Sequence, residues 1–167
     1  FLKLLEEPPV NVHFVLTAHA LDQLLPTVRS RVAMSRILPI GSKESQVYLD
    51  ELGVRDATKR AQLLFMAEGL PLELQRLATD ERYFTEQVQY VQAAKLLLGG
   101  SAYQAVSGVL SNKYARDEAL ELLRHMVRML TRSISQQAAQ RLDGIIRAEA
   151  SIRKGGSVKL HLVAAVL

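Results

Sequence analysis

The sequence predicts a mainly α-helical fold with a short α/β segment at its start. Three observations carry this. Apolar residues make up 49% of the chain and aromatics only 5%, with no Trp, a Leu- and Ala-rich balance that suits packed helices. From Ser42 onward, apolar residues recur at spacings of three and four, interrupted by Gly and Pro. Before Ser42 the pattern differs: Val10–Leu16 is dense in strand formers and Val32–Leu38 alternates loosely. The 167 residues suffice for one ordinary domain or two small ones, with a hydrophobic core that needs no staples.

Phe1–Glu7 reads as the end of an amphipathic helix, stopped by Pro8-Pro9 because neither proline continues the hydrogen-bond ladder. Val10–Leu16 follows as a buried strand, with the polar group Thr17-Ala18-His19 at its C-terminal end, where ligands bind in open α/β sheets. Asp22 to Leu25 makes a helical turn, Pro26 opens the next as its first residue, and Val32–Leu38 reads as an edge strand. Pro39-Ile40-Gly41 marks a boundary. Beyond it, Ser42 caps a first helix that Gly53 ends, and Asp56 caps a second with Ala57, Ala61, Leu64 and Phe65 on its buried face. Gly69 closes that helix, and Pro71 starts a third over Leu72–Ala78. The last section is read as four or five helices: Arg82–Leu98; Ala102–Leu110, capped by Ser101; one capped by Asp117 that runs to about Ser135; one from about Gln136 to Lys154; and Val158–Leu167. Their apolar stripes are read as Phe84, Val88, Val91, Ala94 and Leu98; Leu120, Leu123, Val127, Leu130 and Ile134; and Leu142, Ile145, Ile146 and Ala150.

Composition narrows the chemistry. Without cysteine there are no disulfides, thiolate metal sites or Cys nucleophiles. No run of about 18 apolar residues predicts a membrane span, and no leader suggests export. The chain begins on Phe1 and reads as a fragment whose N-terminal part is absent. The net charge of +4 is concentrated late, since Lys113 to Lys159 holds ten basic against five acidic residues. Such a surface suits nucleic acid, or simply a solvated helix face. No GxxxxGK[ST] loop, GxGxxG or Walker B-like acidic run is present, so this segment does not cradle a triphosphate by itself. His13, His19, His125 and His161 have no metal-ligand spacing and read as surface or packed residues, so no metal site is expected. The pairs Glu6-Glu7, Asp50-Glu51 and Asp117-Glu118 are adjacent, hence face apart on a helix, and read as caps or solvated groups. Arg124, Arg128 and Arg132 share a helix face, either as a solvated stripe balanced by Asp117 and Glu121 or as a phosphate-contacting rim. No aromatic interleaves them, so base stacking is not expected.

Leu24-Leu25-Pro26-Thr27-Val28-Arg29-Ser30-Arg31 is the stretch that carries chemistry: two arginines on a short turn, fixed yet facing outward. Taken with Phe1-Leu-Lys-Leu-Leu-Glu-Glu-Pro-Pro9 and Phe14-Val-Leu-Thr17, it resembles the AAA+ subunits of the bacterial replicative clamp loader, the gamma/tau and delta-prime subunits of DNA polymerase III. The family's Ser-Arg-Cys signature reads Ser30-Arg31-Val32 here, with Val filling the small apolar space behind the arginine. The resemblance implies that Arg31 is an arginine finger that stabilises charge on a neighbouring subunit's ATP, with Arg29 the alternative or a partner holding an acid at that interface. It implies that Thr17 is sensor 1-like, although its hydroxyl also suits a capping role. Leu72 stands where gamma/tau-type subunits carry the sensor 2 arginine. That departure favours delta-prime, a subunit that donates a finger without hydrolysing ATP.

The implied domains are 1–40, the end of an AAA+ α/β domain; 41–79, a three-helix lid; and 80–167, a helical collar through which subunits assemble. No cofactor is expected in the segment itself, with ATP and Mg at a neighbouring subunit's interface. The segment itself is expected not to be an enzyme, whereas the whole complex is an ATPase. The implied partners are the other clamp loader subunits in a hetero-oligomeric ring, the sliding clamp and primer-template DNA, with no membrane and a cytoplasmic location. Two other readings remain: a helical interaction module that has kept an ATPase relic, and a DNA-binding helical domain built on the arginine stripe.

Overall fold

Local sequence signals account for most helix ends in the computed structural model, which describes residues 2–7, 9–18, 21, 24–133 and 135–167. Ten α-helices lie among the described residues: α1 (Leu2–Glu6), α2 (Pro26–Arg29), α3 (Ser42–Glu51), α4 (Ala57–Ala67), α5 (Pro71–Thr79), α6 (Glu81–Gly99), α7 (Ala102–Ser111), α8 (Arg116–Thr131), α9 (Gln136–Arg153) and α10 (Val158–Val166). The fold is mainly α. Phe1, Pro8, His19, Asp22 and Ile134, which entered the sequence reading, lie outside the described residues.

The chain divides into two units, 1–38 and 39–167. In the first, α1 packs beside α2. Here the expected strands are corrected: neither Val10–Leu16 nor Val32–Leu38 pairs with another segment among the described residues. Residues 10 and 11 form a turn, with Asn11 at φ 65° and the Val12 N–H donating to the Pro9 carbonyl. Beyond it the run keeps some strand alternation, because Val12, Phe14 and Leu16 are 41%, 40% and 41% exposed whereas Val15 is 89% exposed. Strand-forming residues make a strand only when a neighbour supplies the ladder. Among the described residues no ladder forms here, so the expected buried strand is an extended, partly exposed segment.

The second unit contains two separate cores. Leu49, Leu63, Met66, Ala67, Leu74 and Leu77 from α3–α5 form one, closed by Tyr83, Phe84, Val88 and Val91 from the N-terminal half of α6. The other takes Ala94 and Leu97 from the C-terminal half of α6, then Ala105 and Val109, and the inner faces of α8, α9 and α10. Helix α6 is therefore common to both. Each fully buried Leu is worth about 2 kcal/mol of apolar transfer. Leu122, Ile145, Ile152 and Leu162 anchor the larger core.

The caps show which local readings hold. Asp56 accepts from the Lys59 N–H at 2.6 Å, and Ser101 with Gln104 forms a reciprocal capping box. Ser42 is not the cap of α3: Gly41 is, and Ser45 is buried with its hydroxyl donating to the Gly41 carbonyl at 2.9 Å. Asp117 is not the cap of α8 either. Ala115 holds that position, and the Glu118 carboxylate accepts its N–H at 2.7 Å. The buried face of α4 is Leu63, Met66 and Ala67, whereas Ala57 and Ala61 are exposed. On α9 the inward residues are Ala138, Ile145, Ala148 and Ile152, while Ile146 and Ala150 face out. In both helices small or apolar residues fall on more than one face, and tertiary packing decides which of them is buried.

Candidate functional site

The arginine-bearing turn is built locally. Pro26 occupies the first turn of α2, where its missing N–H costs nothing, and Val28 is buried beneath it. Ser30 closes the helix with its N–H on the Pro26 carbonyl, and its hydroxyl donates to the Thr27 carbonyl at 3.2 Å. Arg31 folds back onto this turn, Nη1 donating to the Thr27 carbonyl at 2.8 Å and to Ser30 Oγ at 3.1 Å. Both arginines are exposed. A groove of about 530 Å³ lies alongside, lined by Thr17, Leu24, Arg31, Met34 and neighbouring apolar residues. The structure thus brings Thr17 and Arg31, 14 positions apart, to one cavity in the first unit. Arg29 does not line it. In the second unit, Leu72 lies in the first turn of α5 and is 79% exposed.

The arginine stripe of α8 is not one surface. Arg124 is exposed and pairs with Glu121 at 3.0 Å. Arg132 stacks on the Phe65 ring, 4.5 Å from its centroid. Arg128 is only 7% exposed, its Nε 3.1 Å from a Glu68 carboxylate oxygen and its Nη1 3.1 Å from His125 Nδ1. His125 Nε2 lies 2.8 Å from Gln87 Oε1. A buried guanidinium committed to neighbours does not reach a phosphate, so Arg128 drops out of the expected phosphate-contacting rim, and Arg124 and Arg132 do not form one continuous stripe with it. The relay Gln87–His125–Arg128–Glu68 escaped sequence reading because spacings of four made Arg128 look like its exposed neighbours. The signal that could have found it is polar Gln87 and His125 lying on otherwise apolar stripes.

Arg128 can only donate, so His125 Nδ1 accepts and its Nε2–H donates to Gln87, which defines the neutral tautomer. Burial, with the Arg128 charge and then that of Arg124, lowers the His125 pKa to about 4. One turn before Gln87 on α6, Tyr83 donates to Glu73 at 2.8 Å and Arg76 stacks on its ring at 3.7 Å. Burial first, then the Glu73 hydrogen bond, pushes the Tyr83 phenol far above its usual range. Among the described residues no three His, Asp or Glu converge as metal ligands, and no helix is long and apolar enough to cross a membrane.

Residues 1–41 match a family described as DNA polymerase III, delta subunit. The match covers the apolar extended segment and the whole arginine turn, and it supports a clamp-loader-type subunit of DNA polymerase III. No curated protein and no solved structure matches the chain.

Proposed function

We propose that the chain is part of a subunit of the ATP-dependent sliding-clamp loader of bacterial DNA replication, and that Arg31 acts in trans on the ATP of an adjacent subunit. The observation that carries this reading is the family match over residues 1–41, which ends just past the turn that holds Arg31. An arginine finger needs a guanidinium that is anchored near its base and exposed at its tip, so that little conformational entropy is lost when it meets phosphate. A proline-started turn with a buried Val28 supplies the anchor. Arg29, on the same turn, is proposed to hold an acid of that neighbour.

In this reading the half-exposed apolar residues of 12–16 are covered by sheet partners of an α/β ATPase domain, residues 41–79 form a lid and 80–167 a ring-forming collar. Leu72 offers no cation to a nucleotide, which favours a delta-prime role over gamma/tau. ATP and Mg belong to the neighbour's site, and the sliding clamp and primer-template DNA are partners of the assembled ring. The test is Arg31→Ala in the full-length subunit, assembled with its partners and assayed for clamp-stimulated ATP hydrolysis. Loss of one trans-acting arginine should lower the rate about 10³-fold or more. Assembly should be intact. An unchanged rate in a fully assembled complex would remove the assignment.

A further inference from the structure

Within residues 39–167 the two cores share α6, and two arginine contacts cross between them beside it: Arg128 to Glu68 and Arg132 to Phe65. We propose that the Glu68–Arg128 pair is a releasable latch that holds the α3–α5 bundle at one angle on the α7–α10 bundle, with α6 as the hinge.

Three features point to a latch rather than to ordinary packing. Glu68 caps α4 in the left-handed conformation at φ 51°, where glycine would be favoured by about 1 kcal/mol, yet it carries the carboxylate that meets Arg128. Arg128 brings a full charge into a site where an apolar side chain of similar size would avoid the desolvation cost. Its Nε also lies 3.1 Å from the carboxylate without an aligned hydrogen bond, so the pair is held by charge more than by geometry. Glu68 is itself 45% exposed, so water and salt reach one side of the contact. His125, pinned by Gln87 from α6, holds the guanidinium from behind. The fixed half of the latch is therefore built into the larger core and the α6 hinge, and the removable half sits on the turn between α4 and α5.

Under the clamp-loader reading this angle is the one between lid and collar. The latch itself, and its test, stand without nucleotide or partners. The chain has no cysteine, so Ala57→Cys on α4 and Gln140→Cys on α9 place two unique spin labels at exposed positions. Pulsed dipolar distances in the full chain should give one narrow distribution. Glu68→Gln, which keeps size and hydrogen bonding but removes the charge, should add a second distance population with unchanged helical content. About 1 M salt should produce the same broadening, since the Debye length falls to about 3 Å. A distribution unaltered by Glu68→Gln overturns the proposal. So does a Glu68→Gln chain that loses helical content, because the pair would then be part of the fold rather than a latch on it.

Discussion

His125 is a buried base whose protonation the fold opposes, and its energetic weight follows from its surroundings. The ring is 1% exposed, accepts from Arg128 and donates to Gln87. Its hydrogen-bond partners are a neutral amide from α6 and the Arg128 guanidinium, and the charge of Arg124 on its own helix acts on it as well. Charging it would break the Arg128 hydrogen bond and place two positive charges in contact. With a pKa of 6.5 in the unfolded chain and about 4 in the folded one, the unfolded state binds more protons throughout that window. Stability is therefore fully present above about pH 6.5 and is lost as pH falls toward 4. At about 1.4 kcal/mol per pKa unit the total is about 3 kcal/mol, of which about 2 kcal/mol is gone by about pH 5. Urea unfolding of the chain and of His125→Gln over this range isolates the effect, because carboxylates that titrate elsewhere contribute equally to both. The variant should be less stable at neutral pH but lose about 2 kcal/mol less on going to pH 5. Parallel pH dependences would refute the neutral-relay argument. A His125 ring proton resonance that titrates near 6.5 would do the same.

Two further substitutions probe the smaller core. Asp56→Ala removes the acceptor for the Lys59 N–H and should cost about 1 kcal/mol in urea melts; a neutral result would mean that Lys59, paired with Glu81 at 2.8 Å, holds the start of α4 without the cap. Gly69→Ala should cost about 2 kcal/mol or more, because φ is 78° and a Cβ would collide with the carbonyl oxygen of Ile40, whose N–H donates to the Gly69 carbonyl at 2.8 Å. An unchanged midpoint would mean that the Pro39–Ile40 segment yields without resistance.

What was legible in the sequence is what neighbouring residues decide among themselves. Asp56, Ser101, Pro71 and the Gly69 stop were readable because a cap or a turn is settled within about four residues. Ser42 and Asp117 were misplaced by the same logic, since the backbone takes the cap one residue earlier at Gly41 and two residues earlier at Ala115. The faces of α4 and α9 were read from periodicity alone, and Ala57 or Ile146 fits a period as well as Leu63 or Ile152 does. The extended run of 12–16 was legible as strand-forming, but pairing is set by a neighbour that local sequence does not name. The relay of Gln87, His125, Arg128 and Glu68 was the least legible feature, since its members come from three elements and only their mutual contact makes a buried charge tolerable.

The same division bears on how Arg31 would work under the clamp-loader reading. Its hydrogen bonds to the Thr27 carbonyl and to Ser30 Oγ are solvent-exposed, and each is worth about 1 kcal/mol net. A charge-assisted pairing with phosphate in a closed interface is roughly twice as strong per bond. Exchanging one set for the other is therefore favourable only when a phosphate is present and water is excluded. The resting contacts then matter in two ways: they limit the rotamers Arg31 must give up, and they keep the guanidinium on the turn until a neighbour closes over it. Val28 has a matching part, because a turn whose base is buried transmits the neighbour's approach to Arg31 without yielding. Arg29 shares the turn but neither lines the groove nor makes the Thr27 and Ser30 contacts, and so suits a steady ion pair at the rim better than a transient one at the phosphate.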